Sequence, residues 1–359
     1  MGKDSPVGVA FVGCGNISSR YGEQIQEYPD HLKLVGAFDI IPERTQAFAD
    51  KFGCRAYSSL ADVLADGEVE IGLNITTHTA HAEVTEALLR GGKHVHSEKP
   101  LATTRAGGQA CLVAAEETGL LLSCSPIAIL GESQQTLRRL LAEGSIGDVH
   151  DIYAEMNHGR IETWHPDPEA FYGFGAGPLL DVGCYPLSVL IQLFGSITRV
   201  QAIGGVRLAQ RTIGSGPKEG QTYQATNPDH MTVLAQFASG PLLRLTTTFF
   251  VVKSAQAGIE FHGTDGSLWT QSATAFNSVL RVCHPVEKEW AEIAPDTEPY
   301  QGFDYARGLA ELGGAVRSGR KLTCPGEAAF HVLDVCLSAM EAAETGQAVS
   351  VISEFEGPH

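Results

Sequence analysis

The most constraining stretch of the sequence is its first apolar run and the turn behind it. Val7–Val12 is uninterrupted, and Gly13-Cys14-Gly15-Asn16-Ile17-Ser18 follows at once. Such a run reads as a strand buried on both faces, as in a parallel sheet. A G-x-G turn directly after it, opening a helix from about Ile17 to Glu27, has the form of a dinucleotide fingerprint. Gly13 permits the sharp turn and Gly15 lets a pyrophosphate approach the backbone. The N–H groups around Asn16 and Ile17 supply donors. Ser18 stands where Gly or Ala is usual, and is small enough for close packing. Leu32–Phe38 reads as the next strand and ends at Asp39. A carboxylate there can hold both ribose hydroxyls and repels a 2′-phosphate, so NAD is expected; Arg44 nearby leaves NADP open.

The alternation continues. Pro42–Phe52 reads as a helix with Pro in its first turn and Gly53 at its end. Val69–Thr76 is a strand, Ala80–Arg90 a helix, Lys93–His96 a strand, Ala106–Thr118 a helix and Leu120–Cys124 a strand. This predicts an α/β class, with a Rossmann dinucleotide-binding domain over residues 1–125. Residues 126–359 change character. Strands are expected at Val149–Met156, Val200–Val206, Met231–Ala238, Leu242–Val252, Ala257–Gly263 and Val279–His284, with helices at Ser133–Glu143, Asp304–Ser318 and Gly326–Thr345. Few helices separate these strands, so the second sheet is antiparallel or mixed. Gln210–Pro228 is polar and Gly-containing, and reads as a mobile loop.

Bulk properties exclude several classes. The formal net charge of −17 disfavours nucleic acid and anionic membranes as partners. No uncharged apolar run approaches the ~20 residues of a membrane span. The 8 cysteines form no C-x-x-C pair and Met1–Pro6 is polar, so reduced thiols in the cytoplasm are expected.

Several residues could carry chemistry. Glu98-Lys99-Pro100 follows a strand of the parallel sheet, at whose carboxyl ends ligands bind. Lys99 there could hold a substrate oxygen and share its proton, or be one half of a surface Glu–Lys pair. Asp181 and Tyr185 are four apart in Gly177–Pro186, on one face if that segment is helical. They could equally be a capping Asp and a core Tyr. His78 and His81 lie just beyond the Val69–Thr76 strand. His94 and His96 share a strand face but lack a third ligand, so they read as structural and no metal is expected. His158, Trp164, His165 and Phe171 could wall a substrate pocket or pack under a loop.

Together, Val12-Gly13-Cys14-Gly15-Asn16-Ile17, Gly92–Ala102 around Glu98-Lys99-Pro100, and Asp181-Val182-Gly183-Cys184-Tyr185 resemble the Gfo/Idh/MocA family of oxidoreductases. The resemblance spans essentially the whole chain. It implies a C-terminal α+β domain with a large, open, mostly antiparallel sheet that forms the interface of a homodimer or homotetramer. It implies a catalytic Lys99 with Glu98 beside the cofactor, an Asp181 that orients the substrate, and Thr76 and His81 near the nicotinamide. Many members carry histidine where this chain has Tyr185, which resembles the tyrosine-bearing subgroup of glucose–fructose oxidoreductase and dihydrodiol dehydrogenase. The implied activity is NAD(P)-dependent hydride transfer at a sugar, polyol or related hydroxy compound, with Tyr185 as general acid or base and Lys99 as relay. Two alternatives stand beside it: an NAD-dependent glycoside hydrolase, as a few relatives of the family are, and a non-catalytic regulatory protein that senses the dinucleotide.

Overall fold

The computed structural model describes residues 5–357. Residues 1–4, part of the polar start behind the cytoplasmic expectation, lie outside them. The chain packs as two compact units, residues 5–127 with 304–330 and residues 128–303 with 331–357.

In the first unit β1 (Val7–Val12) is buried along its whole length and lies between β2 (Leu32–Phe38) and β4 (Ile71–Asn74). With β3 (Arg55–Ala56), β5 (His94–Ser97) and β6 (Leu122–Cys124) it forms a six-stranded parallel sheet in the order β3-β2-β1-β4-β5-β6. The interleaved helices are α1 (Ser18–Gln24), α2 (Pro42–Phe52), α3 (Leu60–Ala65), α4 (His81–Arg90) and α5 (Arg105–Thr118). Local chemistry sets their ends. Ser59 and Thr104 accept N–H bonds as caps of α3 and α5, Pro42 stands in the first turn of α2, and Gly53 and Gly119 close helices in left-handed conformation. The helix after the fingerprint ends as a 3₁₀ turn over Ile25–Glu27. The short β3 and α3 lack a readable period, being too brief to show one.

In the second unit α6 (Glu132–Ala142) precedes β7 (Val149–Asn157), and α7 (Cys184–Phe194) precedes β8 (Ile197–Gly205). Then come β9 (Gln210–Thr212), β10 (Thr222–Gln224), β11 (His230–Phe237), β12 (Leu242–Thr248), β13 (Gly258–Gly263), β14 (Ser267–Thr270), β15 (Leu280–Cys283) and β16 (Ala291–Ile293). After α8 (Arg307–Ser318), which belongs to the first unit, and α9 (Gly326–Thr345), β17 (Val349–Ser350) closes the chain. The nine-stranded sheet runs β16-β15-β14-β13-β7-β12-β11-β8-β17, and only the β7–β12 pair is parallel. The large, mostly antiparallel sheet is therefore as expected.

Two expectations are corrected. Residues 210–228 are not an irregular loop: β9 and β10 pair as an antiparallel hairpin, Arg211 opposite Tyr223. Pairing across nine residues of largely polar loop left no alternation to read. The strand expected to reach Val252 stops at Thr248, whose hydroxyl accepts the N–H groups of Phe250 and Val251 and turns the chain.

Candidate active site

The first-unit residues converge on the carboxyl ends of β1, β2, β4 and β5. Gly13 has φ +106°, and a Cβ there would stand 2.6 Å from the Ile75 carbonyl oxygen. No residue but glycine fits. At Gly15 a Cβ would meet no protein atom within 4 Å, so open space lies over the turn. Asn16 is exposed and Ile17 half-buried beside it. Asp39 is half-buried and faces back toward this turn: Oδ2 accepts the Cys14 N–H at 2.7 Å and Oδ1 the Ile41 N–H at 2.9 Å. Burial and the Asp39 charge push the Cys14 thiol up to about 12, so it stays protonated. Arg44 is exposed. This turn fits a dinucleotide: glycine where the backbone must turn, a void where a pyrophosphate would lie, and a carboxylate at the ribose end of β2.

Around β4 and β5 the side chains hold backbone. Asn74 donates to the His81 carbonyl at 2.9 Å and accepts the Thr76 hydroxyl at 2.7 Å. His81 is buried; its Nδ1 donates to the Pro100 carbonyl at 2.7 Å, and Nε2 lies 3.3 Å from the Thr76 carbonyl. Burial lowers its pKa, which keeps the ring neutral. Glu98 is also buried. Its Oε1 accepts the Tyr21 hydroxyl at 2.7 Å and the Ser125 hydroxyl at 3.3 Å, and its Oε2 accepts the Lys99 N–H at 3.0 Å. Lys99 is half-buried, with a cis peptide to Pro100. Sequence reading missed Tyr21, Asn74 and Ser125, which carry no motif of their own. His94 and His96 bond within the sheet: His94 Nδ1 accepts the Leu121 N–H at 3.0 Å, and His96 Nδ1 lies 3.0 Å from the Ser123 hydroxyl.

In the second unit, Asp181 lies in a π-helical turn over Leu179–Gly183 that runs straight into α7, and Tyr185 is in the first turn of α7. The segment is thus helical, the condition for the two to share a face. From Gly177 to Gln192 every residue is buried except Asp181 and Tyr185. Gly183 lets the turn sit on β12, since a Cβ there would be 2.8 Å from the Thr247 methyl. The π-turn is itself a feature that recurs at functional sites.

The four aromatic candidates form one run. His158 lies against Trp164 and Phe249, each at 6.2 Å between ring centroids, Trp164 against His165 at 5.5 Å, and His165 against Phe171 at 4.9 Å. Trp164 is 54% exposed, so the run lies at the surface and not in a core. A cavity of about 280 Å³ opens at the end of β7, lined by Glu155, Asn157, His158, Lys253, Gln271 and Ser272 among others. Burial raises the Glu155 carboxyl, opposed by Arg244 at 3.2 Å. Among the described residues no helix is long and apolar enough to cross a membrane.

Comparison with known proteins adds a pattern over most of the chain. Residues 7–125 match an oxidoreductase family with an NAD-binding Rossmann fold, Gfo/Idh/MocA, and residues 134–269 match the C-terminal domain of that family. The 1,5-anhydro-D-fructose reductase of Ensifer adhaerens is 27% identical over 89% of this chain and 91% of its own. The scyllo-inositol 2-dehydrogenase (NADP(+)) of Bacillus subtilis is 23% identical over 95% of both chains. Levoglucosan dehydrogenase in complex with NADH and L-sorbose shares the fold, with a TM-score of 0.83 at 18% identity over 97% of this chain and 99% of that one.

Proposed function

The chain belongs to the Gfo/Idh/MocA family of NAD-binding oxidoreductases, and from that premise we propose that it moves a hydride between a nicotinamide dinucleotide and a hydroxyl- or carbonyl-bearing carbon of a sugar or polyol. The observation that carries this reading is the burial pattern of 177–192, which leaves open only the acid and the phenol that proton transfer needs. The bound dinucleotide supplies the hydride acceptor or donor. Gly13, Gly15, Asn16 and Ile17 hold its phosphates and Asp39 its adenosine ribose. The Asp39 carboxylate, braced against the fingerprint turn, favours NAD over NADP. Thr76, His81 and Glu98 shape the loops beside the nicotinamide, and Lys99 faces it.

Tyr185 gives its phenolic proton to the substrate oxygen in reduction and takes it back in oxidation. Lys99 is assigned the relay of this proton between phenol and solvent. Asp181 orients the substrate hydroxyls. His158, Trp164 and His165 wall the substrate, an arrangement suited to a ring with an apolar face and a polar rim. The substrate class follows the curated relatives, named as reductases and dehydrogenases of sugars and inositols. Ile203, Leu234 and Leu242, exposed on strands of the large sheet, support a homo-oligomer built on that face. The eight free thiols suit the reducing cytoplasm.

Titration with NADH and with NADPH, followed by tryptophan quenching, tests the premise. The preferred cofactor is then used at 340 nm with myo-inositol, 1,5-anhydro-D-fructose and aldoses. We expect NADH to bind more tightly and one class to turn over. Binding of neither dinucleotide overturns the reading, and turnover without net absorbance change would favour the glycosidase alternative.

A further inference from the structure

The hairpin β9–β10 carries a group that the reaction does not use. Arg211 is the largest fully buried side chain among the described residues. Its Nη1 donates to Glu162 Oε1 at 2.6 Å and to the Tyr172 hydroxyl at 3.1 Å, and Nη2 donates to Asp229 Oδ2. Its Cζ lies 4.1 Å from the centroid of the Tyr172 ring. Glu162 and Asp229 are themselves buried. One cation thus faces two carboxylates, and its removal leaves two buried anions without a counter-charge.

Each partner fixes a different segment. Asp229 also accepts the N–H groups of Arg207 at 2.7 Å and Leu208 at 3.0 Å. The Tyr172 hydroxyl donates to Glu162 and accepts the Ile161 N–H at 3.2 Å. The Glu162 carbonyl accepts the Gly214 N–H at 2.8 Å. The guanidinium therefore ties residues 160–172 to the hairpin and to the start of β11. Glu162 is two residues before Trp164. The Tyr172 ring packs on Phe249 at 5.7 Å, and Phe249 packs on His158. A planar fork that is bidentate and stacked is arginine's geometry and not lysine's.

We propose that Arg211 is a positioning residue for the substrate wall: through Glu162 and Tyr172 it fixes where Trp164, His165 and His158 stand. This rests on reading those three as the wall. Trp164 reports on it directly once the other two tryptophans are replaced, Trp269→Phe and Trp290→Phe. In that parent, Arg211→Met is expected to increase about twofold the amplitude of nanosecond depolarisation in the time-resolved anisotropy of Trp164. Arg211→Lys should show a smaller increase. NADH affinity by calorimetry should stay at the parent's value. An unchanged Trp164 decay in a variant that merely melts earlier overturns the proposal and leaves Arg211 a stabilising group only. If Arg211→Met does not fold, Tyr172→Phe decides, since it removes a hydroxyl and no charge: a smaller rise is expected, and no rise overturns. A parent that does not bind NADH would refute the proposed function, while the anisotropy would still judge Arg211.

Discussion

The two units build their candidate site residues in opposite ways. In the first unit most site contacts involve backbone. Gly13 is fixed by its own φ, Asp39 accepts two N–H groups, and His81 faces two carbonyls. In the second unit the contacts are side chain on side chain: rings in a run from His158 to Phe171, backed by Arg211, Glu162, Tyr172 and Asp229. A dinucleotide presents the same phosphates and riboses to every enzyme that uses it, and backbone geometry suits a constant partner. A side-chain wall can be rebuilt without moving a strand. That asymmetry lets one family keep its cofactor half and vary its substrate.

The largest effect expected tests whether the halves share one reaction. Lys99→Ala and Tyr185→Phe should each lower kcat by about 10²–10⁴-fold, the usual worth of general acid–base catalysis, with NADH affinity little changed. The two together should cost far less than the product of the single losses, because they move one proton. Full additivity in a double-mutant cycle would separate them and dissolve the proton relay.

Acid should strike each unit hardest at a deeply buried imidazole. Burial pushes His96 on β5 and His331 on α9 down to about 4, against an ordinary 6.5. Above pH 6.5 neither state binds these protons and native stability is full. Between pH 6.5 and 4 the unfolded chain takes them up and the native chain refuses. Stability then falls by about 3 kcal/mol for each. Hydrogen exchange on peptides from β5 and α9, compared at pH 7 and 4.5, checks this. His96→Asn should lessen the pH dependence in the first unit, where the buried His81 still contributes, and leave it intact in α9.

The same asymmetry decides what could be read in the sequence. The fingerprint, Asp39 and the Glu98–Lys99 turn are legible because each is a short motif next to a strand, and α2 and α5 announce their ends through Pro42, Gly53 and Gly119, whereas the Thr104 cap of α5 shows only in the structure. Asp181 and Tyr185 were legible only as a spacing, since Gly183 and Pro186 obscured the helix that carries them. Arg211 was invisible. Its partners lie 49, 39 and 18 residues away, and a lone arginine in a polar stretch looks solvated until those carboxylates are brought to it. Nor does the pattern of α8 say which sheet it covers. Arg317 settles that by gripping both oxygens of Glu70 at 2.6 Å, a pairing 247 residues apart.

Two glycines two positions apart sharpen the backbone side of the comparison. Gly13→Ala places a methyl 2.6 Å from the Ile75 carbonyl oxygen at φ +106°. Backbone strain alone should cost about 1–3 kcal/mol, read as a lower urea midpoint. Gly15→Ala meets no protein atom within 4 Å, so the fold should hardly notice. Its methyl would instead enter the space assigned to the pyrophosphate, and NADH affinity should fall while the midpoint stays. If Gly15→Ala binds NADH as the parent does, the void over the turn is not the phosphate site.

The smallest effect concerns Asp39, which is asked to serve the fold and the ligand together. Its two oxygens accept the N–H groups of Cys14 and Ile41, and the same carboxylate is assigned the ribose hydroxyls. Asp39→Asn keeps one carbonyl oxygen and replaces the other by a donor, which cannot accept an N–H. One charge-assisted bond is lost, worth about 1.5–3 kcal/mol where the acceptor is ionised, part of which the turn recovers by relaxing. NADH affinity should therefore fall about tenfold, or ~1.4 kcal/mol. NADPH should lose less, because the charge that repels its 2′-phosphate is gone, and the NADH/NADPH ratio should move toward NADPH. Calorimetric titration of both forms reads it. An unmoved ratio would assign Asp39 to the turn alone, and the backbone-built half would then owe its cofactor preference to a residue outside the fingerprint, with the exposed Arg44 next in line.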